Sequence, residues 1–354
     1  GPGGGLEVTL KLDANENPIL LPEDVREELV ERLASAELSR YPDGEAWELR
    51  RALARYAGVD VRQVIVGNGG DEVILMACHA FALGGRVAVV GPTFEMYEAV
   101  ARSLGAEVFT VQLDGDFLFD PAEVIAARPN LVFICRPNNP TGNLYPLQSV
   151  LECLRSGAVV FVDEAYIEFS RDAGMSRFLA SEERLMIGRT MSKAFGLAGV
   201  RLGYVLAPEG LARQLERVRL PYNVGCLGQA AGLFMLENIP LVQSMIRSIQ
   251  AWRQDLFCEL QAMDGIEAYP SETNFILFRP LTCNPDLLWR DLRDRGVLIR
   301  RYPGHPVLRR YLRVSVGTPE ENALFLKALG EILGGVGDKE SCGRAKDTGD
   351  GRQG

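Results

Sequence analysis

Histidine is nearly missing from this chain, with only His79 and His305 among 354 residues, too few for a His-based triad or a His-rich metal cluster. Whatever chemistry occurs here is expected to proceed without histidine. His79, inside the apolar run VILMACHAFAL, is expected to sit in the core. No apolar run approaches the roughly 18 residues that span a bilayer. The opening GPGGGLEVTL lacks the basic and apolar regions of a signal peptide, so a cytoplasmic location is expected. The seven cysteines are odd in number and contain no C-x-x-C pair, which favours reduced structural thiols and no bound metal. Positive charge is also short: 38 Lys and Arg against 47 Asp and Glu leave a formal charge of −9, which repels nucleic acid and anionic membrane. Small-molecule chemistry is what remains.

Apolar residues, by contrast, are plentiful. At 47% of the chain they can fill the core of one large domain and a smaller one. The runs QVIVG, RVAVVG, EVFTVQL, LVFIC, AVVFVDE, LMIGRT and GYVLA read as buried strands. Helical stretches such as DEVILMACHAFAL and FEMYEAVARSLG lie between them. This repeated alternation predicts an α/β domain with a mainly parallel sheet covered by helices on both faces. The division expected is an N-terminal arm at 1–44, a large domain at 45–225, a linking helix with a small α+β domain at 226–333, and a disordered tail at 334–354. The small domain would use strands NFILFR, VLIRRY and YLRVSVG.

Strand ends in such a sheet are where ligands bind, and four of them carry unusual residues. VGNGGDE (Val66 to Glu72) follows a strand and opens a helix, so its backbone N–H groups can cradle an anion; a turn with an Asp cap explains it equally well. RPNNPTG (Arg136 to Gly142) places two asparagines in a turn. VVFVDEAY (Val159 to Tyr166) leaves Asp163 at the end of an apolar run, where a carboxylate needs a partner: a metal, a catalytic proton or a cationic ring nitrogen. TMSKAFGLAGVR (Thr190 to Arg201) holds Lys193 among hydroxyls and glycines, either as a solvated surface lysine or as a reactive amine. Together the four match an aldehyde cofactor with a phosphate and a pyridine ring, which needs a lysine, a carboxylate, a phosphate cradle and a flat stacking partner.

The ordered set GNGGDE, PTFEMY, RPNNPTG, VDEAYIEF, RTMSKAFGLAGVRLGY, PYNV and LRVSVG resembles the fold-type I, pyridoxal phosphate-dependent aminotransferases of classes I and II, over residues 10 to 333. Within that family LDANENP, RYPDG, SETNFIL and YLRVSVGT are most similar to the histidinol-phosphate aminotransferases. The resemblance implies that Lys193 links covalently to pyridoxal 5'-phosphate and then serves as base. It implies that Asp163 holds the pyridine nitrogen, that Tyr166 and Asn139 bond the ring hydroxyl, and that Phe94 stacks on the ring where many relatives use tyrosine. Gly70, Asp71, Thr190, Ser192 and Arg201 would hold the cofactor phosphate, joined by Tyr41 from the neighbouring subunit of a homodimer with shared sites. Asn15 and Asn17 would stand near the substrate; some relatives have tyrosine in place of Asn17. Arg313 would fork onto a substrate carboxylate and Arg300 would complement a substrate phosphate. The implied reaction moves an amino group from L-histidinol phosphate to 2-oxoglutarate. An aromatic amino-acid aminotransferase, a threonine-phosphate decarboxylase and a non-catalytic binder share the same core.

Overall fold

Three residues of alternating burial, Leu10–Leu12, form the first strand, β1, in a computed structural model that describes residues 8–335. Two helices follow, α1 (Glu23–Ala34) and α2 (Trp47–Ala57). Then comes the repeat read from the sequence: β2 (Val64–Gly67), α3 (Gly69–Phe81), β3 (Arg86–Gly91), α4 (Met96–Ser103), β4 (Glu107–Gln112), α5 (Pro121–Ala127), β5 (Leu131–Cys135), α6 (Leu147–Cys153), β6 (Val159–Asp163), β7 (Leu185–Thr190), β8 (Gly203–Leu206) and α7 (Glu209–Val218). The seven strands form one sheet in the order β2-β8-β7-β6-β5-β3-β4. Six of them run in one direction, and β8 is antiparallel to both of its neighbours.

Successive side chains alternate between the faces of this sheet, and both faces are buried. Val132, Ile134, Val160, Val162 and Ile187 pack toward α2, α6 and α8 (Cys226–Glu237). Their neighbours Leu131, Phe133, Phe161 and Met186 pack toward α3, α4 and α7. That is why β5 and β7 read as unbroken apolar runs. β4 departs from the reading of EVFTVQL as fully buried: it is an edge strand with one neighbour, and Glu107, Phe109 and Gln112 are exposed. His79 also departs from expectation. With Leu75 it lies on the outer face of α3, because Val73, Ile74, Met76, Ala77 and Cys78 already fill the inner one.

The 24-residue helix α9 (Ile239–Ala262) leads into β9 (Ile266–Ala268), β10 (Phe275–Pro280), α10 (Pro285–Asp294), β11 (Val297–Arg301), β12 (Leu312–Ser315) and α11 (Pro319–Gly335). These strands make a second sheet in the order β1-β11-β12-β10-β9. β1 joins its edge in parallel, with Leu10 opposite Val297. The arm thus contributes a strand that three residues of sequence do not announce. Among the described residues no helix is long and apolar enough to cross a membrane. The tail expected to be disordered lies almost wholly outside the described residues.

Candidate active site

The parallel strands β3, β5, β6 and β7 end at one edge of the large sheet, and the loops leaving Gly91, Cys135, Asp163 and Thr190 meet there. They surround a cavity of about 600 Å³ that is closed on the far side by residues of the small sheet. The peptide bonds Gly91–Pro92, Arg136–Pro137 and Asn139–Pro140 in these loops are cis.

At one end of the cavity β8 presses against the first turn of α3. A Cβ at Gly203 would fall 2.6 Å from the carbonyl carbon of Gly69, and one at Gly69, where φ is +82°, would fall 2.6 Å from Arg201 Nη2. Glycine is required at both. The contact leaves the opening N–H groups of α3 facing the cavity beside Gly70 and Asp71. Arg201 Nη2 lies 3.0 Å from Asp71 Oδ2. The Thr190 hydroxyl sits 3.0 Å from Ser192 Oγ and accepts from the Ser192 N–H at 3.1 Å. A guanidinium, two hydroxyls and a helix N-terminus make an anion cradle with the size and donor set of a phosphate.

Asp163 stands deeper. Its carboxylate accepts from the Tyr97 hydroxyl at 2.6 Å and from the Ala165 N–H at 2.9 Å, and it has no cationic partner among the described residues. Burial pushes its pKa up to about 6, against the hydrogen bonds that lower it. A buried carboxylate in this position favours a cation. Tyr97 was not singled out from the sequence. Its signal is the spacing from Phe94: three residues apart at the start of α4, the two rings share one side, 5.6 Å between centroids. Phe94 lines the cavity as expected.

Lys193 enters from the loop after β7 and donates to the Ala14 carbonyl at 3.0 Å. Burial lowers its pKa to about 8, helped by Arg313 and Arg201 and opposed by Glu16. Tyr166 accepts from Asn15 Nδ2 at 3.0 Å, and Asn15 is itself held by Ser315 and Asn274. Asn17 does not reach the cavity. Its Nδ2 donates at 3.3 Å to the carbonyls of Lys193 and Ala194 and its Oδ1 accepts from Ile19, so the expected substrate contact is replaced by support of the lysine loop. Tyr41 is likewise absent from the cavity of its own chain: it is 80% exposed and stacks on Tyr222 at 4.6 Å.

Arg313 on β12 donates from Nη1 to Asn139 Oδ1 and from Nη2 to the Asp13 carbonyl, each at 2.6 Å, with its guanidinium 5.0 Å from the Phe275 ring centre. Arg300 lies opposite it on β11 and also lines the cavity, 3.4 Å from Glu95. Arg301 points the other way, paired with Asp286 and stacked over Trp289 at 4.2 Å. Adjacent strand residues face opposite sides, and the structure selects Arg300 for the inside.

An aldehyde-bearing pyridine phosphate fits these residues. The orphan buried carboxylate suits a ring cation, the glycine-lined cradle suits a phosphate, and the lowered lysine suits an aldehyde. Fold and site together define a pyridoxal phosphate enzyme of the α/β type.

The chain belongs to the family Aminotransferase class I and II, which it matches over residues 7–329. It is 37% identical over 330 residues to the histidinol-phosphate aminotransferase of Ruminiclostridium cellulolyticum, covering 90% of this chain and 91% of that one. With histidinol-phosphate aminotransferase 2 of Nitrosococcus oceani it shares 42% identity over 330 residues, again 90% and 91% of the two chains. The crystal structure of histidinol-phosphate aminotransferase from Sinorhizobium meliloti in complex with pyridoxal-5'-phosphate is similar at a TM-score of 0.85 and 25% identity, over 93% of this chain and 92% of that one.

Proposed function

We propose that the protein transfers the amino group of L-histidinol phosphate to 2-oxoglutarate, giving imidazole acetol phosphate and glutamate. The observation that carries this reading is that Arg300 and Arg313 face one cavity with Lys193 and Asp163. Two guanidinia suit an amine that bears a phosphate, and one of them suits the carboxylates of glutamate and 2-oxoglutarate. The similarity to histidinol-phosphate aminotransferases supports the same reading.

Pyridoxal phosphate, when bound, supplies an aldehyde that condenses with amines and a ring that draws electrons from the adjoining carbon. The chain's own groups do the rest. Gly70, Asp71, Thr190, Ser192 and Arg201 anchor the phosphate. Asp163, fixed by Tyr97, would pair with a protonated ring nitrogen, Phe94 would flank the ring, and Tyr166 and Asn139 would bond its hydroxyl. Lys193 Nζ, neutral above about pH 8, would serve as the base that takes up and returns the proton at the donor's α carbon.

The test is a half-reaction screen with histidinol phosphate, phenylalanine, tyrosine, glutamate and threonine phosphate, followed by loss of the bound cofactor's absorption. Histidinol phosphate is expected to react fastest; faster reaction with phenylalanine transfers the assignment to an aromatic aminotransferase. Arg300→Ala is expected to slow the histidinol-phosphate half-reaction by ~1.5–3 kcal/mol, about 10- to 150-fold, and the glutamate one far less. Arg313→Ala should impair both.

We also propose a cytoplasmic homodimer with shared sites, with the arm, large domain, small domain and tail divided at residues 44, 225 and 333. Leu20, Leu38, Tyr41 and Leu220 are 67–88% exposed, large apolar side chains of the kind that a second copy would bury. Mixing Tyr41→Ala with Lys193→Ala subunits is expected to rebuild one working site per mixed dimer. A reassorted mixture no more active than its parents refutes sharing through Tyr41.

A further inference from the structure

Three buried polar atoms in the cavity wall lack a well-formed hydrogen bond: the hydroxyl of Tyr302, Nε of Arg313 and Oδ1 of Asp13. Tyr302 and Arg313 are neighbours: the guanidinium is the foremost charge acting on the phenol and stands close enough to donate to its oxygen, which leaves the hydroxyl proton free. Tyr302 follows β11 directly, and Arg300 lies over its ring at 5.9 Å from the centroid. The tyrosine therefore stands between the two guanidinia, its ring beneath one and its hydroxyl beside the other. Its backbone is held by a short loop. The Tyr302 carbonyl accepts from the His305 N–H at 3.3 Å, and His305 Nδ1 accepts from the N–H groups of Val307 and Leu308 at 3.2 and 3.0 Å.

Leaving buried polar atoms unsatisfied is costly, and a ligand with more than one oxygen would serve the phenol proton and the Arg313 Nε–H together. The other two ends of Arg313 are already engaged by Asn139 and Asp13. Burial raises the phenol's pKa, so the hydroxyl keeps its proton and acts as a donor. A carboxylate offers two oxygens in one plane, which a single guanidinium fork can match. A tetrahedral phosphate offers a third oxygen out of that plane, and only a donor set off the fork can meet it.

We propose that Tyr302 is a specificity-determining residue whose hydroxyl donates to the third oxygen of a tetrahedral phosphate on the substrate, while Arg313 Nε–H takes an oxygen in the guanidinium plane. The proposal rests on the phosphorylated-amine reading of the cavity and adds to it a contact that Arg300 and Arg313 do not supply.

The experiment compares Tyr302→Phe, which keeps the ring and removes only the hydroxyl, with the unmodified cofactor-loaded enzyme in two arms. In the first, the half-reaction KM for histidinol phosphate is expected to rise about tenfold, while KM for glutamate changes less than about twofold. In the second, inorganic phosphate competes against glutamate, and its inhibition constant is expected to weaken about tenfold in the variant. Unchanged phosphate inhibition, or equal losses for phosphate and glutamate, overturns the proposal. Because glutamate is turned over in both arms, its unaltered KM also reports that the variant is folded. If histidinol phosphate fails as a donor while Tyr302→Phe still loses phosphate inhibition, the Tyr302 contact stands and the choice of amine substrate falls.

Discussion

Lys193→Ala is expected to lower turnover at least about 10⁴-fold, the largest loss from any single substitution in this chain. A positioned general base alone contributes up to about that factor, and Lys193 adds covalent anchoring. The variant should bind pyridoxal phosphate weakly and release it on dialysis. Borohydride reduction of the unmodified enzyme followed by peptide mapping should place the label on Lys193, and a label on another lysine ends the assignment. The pH dependence has a definite sign. Burial and the nearby guanidinia lower the lysine from 10.5 to about 8, so the neutral, nucleophilic amine is about a tenth of the population at pH 7 and predominates above pH 8. Capture of added cofactor by cofactor-free protein should therefore accelerate nearly tenfold per pH unit below 8 and level off above it. A profile still rising at pH 10 would mean that the side chain is not desolvated as the structure has it.

Asp163→Asn is expected to reduce kcat about 10²- to 10³-fold while leaving cofactor bound. The reasoning is one of charge. Asparagine can still accept the Ala165 N–H through Oδ1, and its Nδ2 can donate to the Tyr97 hydroxyl oxygen where the carboxylate accepted from it, so the fold around β6 is preserved. What disappears is the negative partner of the ring nitrogen, and losing one half of a buried ion pair costs ~3–5 kcal/mol. Without it the ring nitrogen stays unprotonated and draws electrons less strongly. Turnover should fall with little change in the amount of cofactor retained, because the Lys193 link and the phosphate cradle remain. Loss of cofactor together with activity would instead make Asp163 a binding residue first. Tyr97→Phe should give a smaller effect of the same kind, by removing one hydrogen bond to that carboxylate.

Much of this site is visible in the sequence because its parts lie where apolar runs stop. Asp163 ends VVFVD, Lys193 follows LMIGRT, and the Gly-rich turn follows QVIVG, so each polar residue sits at a strand terminus that periodicity locates unaided. The residues that the family resemblance assigns to this chain's own site line the cavity, except Asn17, and Tyr41, assigned to a neighbouring subunit's site, lies outside it. Asn17 stands apart because its side chain bonds only main-chain groups, two of them far along the chain, and such bonds leave no pattern in the sequence. Tyr97 and Tyr302 escape for a related reason. One contributes through a carboxylate on β6, the other through a hydroxyl beside an arginine on β12, and neither pairing is local in sequence. His79 and β4 show the limit of apolar runs as guides. A run can be longer than the face it covers, as in α3, or can end a sheet with only one neighbour, as in β4.

The arm also bounds how far the two sheets can separate. Asn15 is stitched to both: its main chain bonds Ser315 and Asn274 beside the small sheet, while its side chain reaches Tyr166 beyond β6. Two residues later Asn17 grips the carbonyls of Lys193 and Ala194. Two residues of extended chain reach about 7 Å. While these anchors hold, the slack between the lysine loop and the small sheet cannot exceed that length, so the segment works as a mechanical stop. Wider opening requires one of the two asparagines to let go, and one of those grips falls on the main chain of Lys193 itself.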